Sequence, residues 1–287
     1  MALAKTGHRL LRLVDVDIEL SWDADLQAVG ESLFVDAPMG NPGGHHLELR
    51  RTADGYLLES AGVAGPGCRT LGEVFQEAEM TITEAALDSL RHRYLPVHGA
   101  VVAHQGVGLL IIGAHDAGKT SLGCALARSG ASLLSDEIAP VEPVDLVVSP
   151  FPRDLILHAG TCRSLGRLQP SPGFKCFDGY RYLPPSAVSA GPPPAAVAVG
   201  GLLFPAREPG ARPALHPQNP AHSARVLLEQ CFDLEGLGGE RAIDCVSRLV
   251  QLPAAAVAFN SAMDVLELVW RWWEQQVDSE VEVGAVG

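Results

Sequence analysis

Apolar and acidic residues alternate strictly over 14–20, with Val14, Val16, Ile18 and Leu20 on one side and Asp15, Asp17 and Glu19 on the other. A period of two predicts a strand with one buried and one wet face. A short helix is expected from Asp23, with Leu26, Val29 and Phe34 as its apolar side. Strands over 46–51 and 56–60 bracket Thr52-Ala53-Asp54-Gly55, whose Asp-Gly pair signals a hairpin turn. His45-His46 has no companion ligands nearby and reads as a loop entering the first of these strands. Residues 61–70 read as a Gly/Pro loop. From Thr70 the period lengthens to that of a helix, carried by Leu71, Val74, Phe75, Ala78, Met80, Ile82, Ala85, Leu87 and Leu90. Basic residues up to Arg93 close it, as a helix C-terminus prefers.

Two apolar runs follow, Leu95–Ala103 and Val107–Ile112, turned into a hairpin by His104-Gln105-Gly106. Ser121–Arg128 reads as a helix stopped by Gly130. Ala131–Ser135 reads as a short buried strand ended by Asp136-Glu137. Pro150 and Pro152 exclude a central strand and predict a loop presenting Arg153 and Asp154. Residues 159–195, rich in Gly and Pro with Arg163, Arg167, Lys175 and Arg181 interspersed, look like a lid or substrate loop. Ala195–Phe204 is a buried strand with Arg207 just beyond it. Helices over 223–232 and 241–252, a strand at 257–259 and a helix over 263–277 complete the pattern. The Trp270, Trp272 and Trp273 cluster of that last helix reads as packing. The expected organisation is an α+β region over 1–94, a catalytic α/β domain over 95–277, and a flexible acidic tail over 278–287.

Chemistry enters between the hairpin and the helix. Gly113-Ala114-His115-Asp116-Ala117-Gly118-Lys119-Thr120 is G-x-x-x-x-G-K-T in the strand-to-helix context of a phosphate-binding P-loop. Glycines let backbone N–H groups turn inward, and a helix N-terminus adds partial positive charge. Lys119 is expected to reach the β- and γ-phosphates of a nucleotide and Thr120 to hold Mg2+, with Ser121 opening the helix. Asp136 and Glu137, at the end of the next strand, stand where a P-loop enzyme places its Mg2+ and water ligands. Strand residues alternate in direction, so only one of the two acids faces the phosphates unless the strand has already ended.

Composition narrows the picture. The chain has 287 residues, 47% hydrophobic and 19% charged, enough to bury a sizeable core. Its net charge of −13, without a basic cluster, disfavours nucleic acid and anionic membranes as partners. The six cysteines show no C-x-x-C or zinc spacing, and no signal peptide or 18-residue apolar run is visible. The expectation is a cytoplasmic protein with reduced thiols.

Val97-His98-Gly99-Ala100-Val101-Val102, the hairpin, G-x-x-x-x-G-K-T, the helix and Leu133-Leu134-Ser135-Asp136-Glu137 together resemble the C-terminal kinase domain of HPr kinase/phosphorylase. They resemble more closely the HPr-kinase-like proteins that accompany bacterial peptide-modification gene clusters, including lasso-peptide kinases. The resemblance rests on residues 95–140, with weaker matches at Phe151-Pro152-Arg153 and Leu203-Phe204-Pro205-Ala206-Arg207. It implies a nucleotide site related to that of phosphoenolpyruvate carboxykinase, on a mixed sheet flanked by helices. It also implies ATP and Mg2+, transfer of phosphate to a hydroxyl (usually serine), and catalytic roles for His98, Lys119 and the Asp136/Glu137 pair. Two departures stand out. Glu137 replaces the family's second Asp, which leaves the base open between the two acids, and no Arg-Gly-x-Gly stretch is visible, which argues against HPr as acceptor.

The expected reaction is in-line transfer of the ATP γ-phosphate, with Asp136 or Glu137 accepting the hydroxyl proton and His98 contacting phosphate or positioning the base. Arg153 and Arg207 are candidates for phosphate or substrate contacts, because a planar guanidinium matches oxyanions, though a salt-bridge role is equally open for each. The expected partner is a peptide or small protein bearing the acceptor; a homo-oligomer is left open. The rivals are a regulatory NTPase without an acceptor and a kinase of a small metabolite.

Overall fold

The computed structural model describes residues 5–157, 162, 175–177, 180–189, 191 and 193–284. Strands β1 (Lys5–Leu13) and β2 (Val16–Asp23) form a hairpin with Leu13 opposite Val16, so the alternating stretch 14–20 begins with a turn at Val14, where φ is 56°. A 3-10 turn over Ala24–Leu26 and helix α1 (Gln27–Gly30) follow, burying Leu26 and Val29. β3 (His45–Thr52) and β4 (Gly55–Ser60) are the expected hairpin, closed with Thr52 opposite Gly55. The expected loop 61–70 instead contains β5 (Val63–Cys68), an edge strand exposed except at Cys68. It has no apolar alternation to betray it, and Pro66 is tolerated because an edge leaves N–H groups unused. Helix α2 (Leu71–Leu90) starts in a reciprocal cap: Glu73 N donates to Thr70 Oγ1 at 3.0 Å and Thr70 N to Glu73 Oε2 at 3.4 Å. It buries Val74, Phe75, Ala78, Ile82, Ala86 and Leu90, with Glu79 among them.

Next come β6 (Leu95–His104), β7 (Val107–Ile112), α3 (Lys119–Arg128), β8 (Ser132–Ser135), β9 (Ile138–Val141) and β10 (Val147–Val148). Short strands β11 (Leu155–Leu157), β12 (Lys175–Phe177) and β13 (Tyr180–Leu183) form a separate three-stranded sheet. The chain ends with β14 (Val197–Arg207), β15 (Ala214–Pro217), α4 (Pro220–Glu229), α5 (Leu234–Leu237), α6 (Gly239–Leu249), β16 (Ala254–Phe259) and α7 (Ala262–Gly284). β15, half-exposed and lying against β16 at an edge, is another strand that the hydrophobic pattern does not announce. The last helix runs past Val277 to Gly284, where a tail was expected; 285–287 lie outside the described residues, as do Arg163 and Arg167 of the expected lid.

The packing divides the chain into two units. The first comprises Met1–Leu90, Pro152–His158 and Pro170–Ala187, and the second Arg91–Phe151, Ala159–Gln169 and Val188–Gly287. The expected boundary is at 94/95; the first unit also contains two later segments, one of them with Arg153 and Asp154. The first unit holds the five-stranded sheet β1-β2-β3-β4-β5 and the sheet β11-β13-β12.

The second unit is a mixed sheet of eight strands. β7 and β14 run parallel, as do β14 and β16, while β6 is antiparallel to β7, β8 and β9. β6 and β7 are buried almost throughout, as strands covered on both faces must be. α3 and α7 pack together beside β6, β14 and β16. Elsewhere Leu227, Leu237, Ala242, Cys245, Val246 and Leu249 join Leu95, Val101, Leu110 and Leu202 in one apolar cluster. The architecture is therefore mixed α/β. No helix among the described residues is long and apolar enough to cross a membrane.

Candidate functional site

The loop Gly113–Thr120 leaves the C-terminal end of β7 and enters α3, a helix of ten residues. Gly118 caps that helix with φ of 101°, a conformation glycine adopts without steric cost. A Cβ there would come within 2.7 Å of Phe259 Cζ and 3.3 Å of Arg207 Cβ, so the backbone runs close beneath β14 and β16. Arg207 N donates to Ala117 O at 3.1 Å, and Ala117 N to Ala114 O at 3.2 Å. The parallel pairing of β7 and β14 thus brings their C-terminal ends, and Arg207 with them, to one place. At the loop's tip His115 Nδ1 lies 3.1 Å from Asp116 Oδ2, both side chains 84% exposed.

Lys119 is 93% buried, at 7% exposure, and its Nζ donates to Gly113 O at 2.9 Å and Ala114 O at 3.1 Å. Burial lowers its pKa from the ordinary lysine value; the carboxylates of Glu137, Asp136 and Asp116 oppose that shift. Both acids therefore act on this ammonium. Their approach follows from a break in the edge of β6. β8 pairs Val101 with Ser135, β9 pairs His98 with Ile138, and Asp136-Glu137 bridges the two strands opposite Gly99 and Ala100. Gly99 N donates to Glu137 O at 3.1 Å and Ile138 N to Ser135 Oγ at 3.2 Å, fixing the kink. Because the regular strand has ended, its alternation no longer applies. Thr120 Oγ1 donates to Asp136 Oδ2 at 2.9 Å, while Glu137 Oε1 lies 3.7 Å from His98 Nε2.

His98 has a second neighbour that sequence reasoning missed. Its N–H donates to Gln230 O at 2.7 Å, and its ring stacks on Phe232 with centroids 5.5 Å apart and planes at 14°. No spacing rule links residues 98 and 232, so only the folded chain reveals the pair. Ser121 is buried in the first turn of α3.

The two arginines separate. Arg207 is exposed beside the loop, and its guanidinium has no hydrogen-bond or ion-pair partner among the described residues. Arg153 belongs to the first unit, where its guanidinium engages both carboxylate oxygens of buried Glu79, with Nη2 to Oε2 at 2.8 Å. Residues 151–154 form the expected loop, but Arg153 takes the salt-bridge alternative with buried Glu79 and Asp154 is only 6% exposed, so neither side chain is presented.

Among the described residues no group of three or more His, Cys, Asp or Glu side chains is placed to hold a metal ion. Thr120 and Asp136 supply two oxygen donors side by side. A cation there would need its other ligands from water or a bound anion, the coordination that Mg2+ prefers. A buried lysine, a glycine-capped helix N-terminus and two oxygen donors thus lie side by side at the end of β7.

No family model matches the chain, and no curated protein matches it. Among solved structures, the chain is similar to "Structure of the Hpr(Ser) kinase/phosphatase from Coxiella burnetii", at 14% identity over 63% of this chain and 98% of that one, with a TM-score of 0.32. That likeness is too loose to carry either fold or activity to this chain.

Proposed function

We propose that the second unit is an ATP-dependent kinase that transfers the γ-phosphate to a hydroxyl, a serine of a peptide or small protein. The observation that carries the reading is the meeting of Lys119, Thr120-Asp136 and His98-Glu137 at one end of the sheet. The G-x-x-x-x-G-K-T motif adds support, because its spacing matches a polyphosphate cradle.

When bound, Mg2+ would neutralise charge on the phosphate oxygens, and Thr120 and Asp136 are the residues that would hold it. Lys119 would turn from the Gly113 and Ala114 carbonyls to the phosphates and neutralise charge that builds up during transfer. The hydroxyl oxygen bonds to the γ-phosphorus as the bond to the bridging oxygen breaks, and the hydroxyl proton passes to a carboxylate. Asp136 would serve the metal together with Thr120, which would leave Glu137 to accept the proton, with the His98 imidazole beside it. Arg207, exposed beside the loop, would meet phosphate oxygens there.

A regulatory NTPase would use the same loop without an acceptor. Incubation with γ-labelled ATP, Mg2+ and serine-containing peptides separates the two: label on a serine supports the kinase, whereas free phosphate with unlabelled peptide overturns it.

A further inference from the structure

Phe232 is 45% exposed, yet its backbone is pinned. Phe232 N donates to Pro96 O at 2.9 Å, His98 N donates to Gln230 O at 2.7 Å, and Val97 and Cys231 form an isolated bridge between them. The pairing of β6 with β7 stops at Gly99 opposite Ile112, so residues 230–232 take the place beside β6 that β7 leaves as it turns into the loop. From there the phenyl ring stacks on His98, whose Nε2 stands 3.7 Å from Glu137 Oε1.

We propose that Phe232 is a positioning residue, whose ring holds the His98 imidazole in the orientation that keeps Nε2 toward Glu137. The catalytic consequence rests on the kinase reading above; the positioning itself does not. The His98 side chain is 24% exposed, and the packing around its ring selects among its staggered rotamers. One stacked aromatic pair biases such an equilibrium about twofold to tenfold, enough to matter where a base must be oriented for every turnover.

The backbone contacts of 230–232 use no side-chain atom of Phe232, so Phe232→Ala removes the ring and leaves its scaffold. The test is the histidine ring spectrum of the labelled full chain, with the His98 signals identified by their loss in His98→Gln. Phe232→Ala should weaken the through-space contacts between the His98 ring and Glu137, beyond the shift that loss of the phenyl ring current alone gives, and Phe232→Tyr should keep them. In the transfer assay Phe232→Ala should lower kcat about twofold to tenfold with the KM for ATP unchanged, and Phe232→Tyr should restore it. His98–Glu137 contacts unchanged by Phe232→Ala, or a tyrosine variant that behaves like alanine, would overturn the proposal. If Phe232→Ala does not fold, Phe232→Leu takes its place with the same expected loss. Wild-type protein that labels no hydroxyl would overturn the kinase reading alone, since the ring signals still decide the positioning.

Discussion

Thr120 Oγ1 donates to Asp136 Oδ2 across 2.9 Å, tying the first turn of α3 to the residue that follows β8. The acceptor is a nearly buried carboxylate, so the bond is charge-assisted and worth about 1.5–3 kcal/mol. Thr120→Val should cost about that much stability in denaturant titration. In the double-mutant cycle with Asp136→Asn the two losses should fall short of additivity. Under the kinase reading Thr120→Val should also raise the Mg2+ concentration needed for half-maximal transfer.

Gly118 holds φ of 101° under Phe259 and Arg207. Gly118→Ala forces a Cβ into a left-handed residue and to 2.7 Å from Phe259 Cζ. The expected loss is about 1–3 kcal/mol, read as a lower melting temperature. A variant as stable as wild type would show that the cap is not under this constraint.

Arg153 and Arg207 should respond in opposite ways. Arg153→Ala leaves Glu79 buried without the guanidinium that grips it, which costs about 3–5 kcal/mol of stability. Arg207→Ala removes an exposed side chain beside the loop and should leave melting unchanged; under the kinase reading it should weaken ATP binding or slow transfer. Melting curves of the two variants, set beside their transfer rates, check both statements.

Asp154 sets a pH dependence. Burial first, then the negative charges of Glu79 and Asp36, push its pKa from 3.8 to about 7, against the pull of Lys175 and Arg9. The folded chain therefore keeps a proton that the unfolded chain releases, so this group's contribution falls as pH rises from about 4 to about 7. Above pH 7 the full penalty applies, at most about 4 kcal/mol at about 1.4 kcal/mol per pH unit. Asp154→Asn should remove that slope from the denaturation free energy, gaining stability over wild type at pH 8 and little at pH 4. An unchanged slope would show that Asp154 does not titrate in this window.

The loop and its neighbours were legible because local rules govern them. A hairpin, a glycine-rich turn, a helix and a short strand ending in two acids are all contiguous, and each leaves its pattern in the residues that form it. The kink between Ser135 and Ile138, which sets Asp136 against Thr120 and Glu137 beside His98, was visible only as an open alternative, since it depends on the register of β8 and β9 along β6. β5 and β15 stayed hidden because edge strands need no apolar alternation. The Arg153–Glu79 pair was hidden for another reason: Glu79 is a polar residue in the apolar stripe of α2, and its partner lies 74 positions away in sequence. Phe232 beside His98 is likewise a product of the folded chain alone.

The most direct test of the central claim is transfer of label from γ-labelled ATP to a serine hydroxyl, measured for the wild-type chain and for Lys119→Ala with melting curves alongside. Wild-type protein should label the acceptor, and Lys119→Ala should lose at least about 10²-fold in rate while still melting cooperatively, since a preorganised positive donor is removed from the developing charge. Wild-type rates in a folded Lys119→Ala protein would contradict the claim.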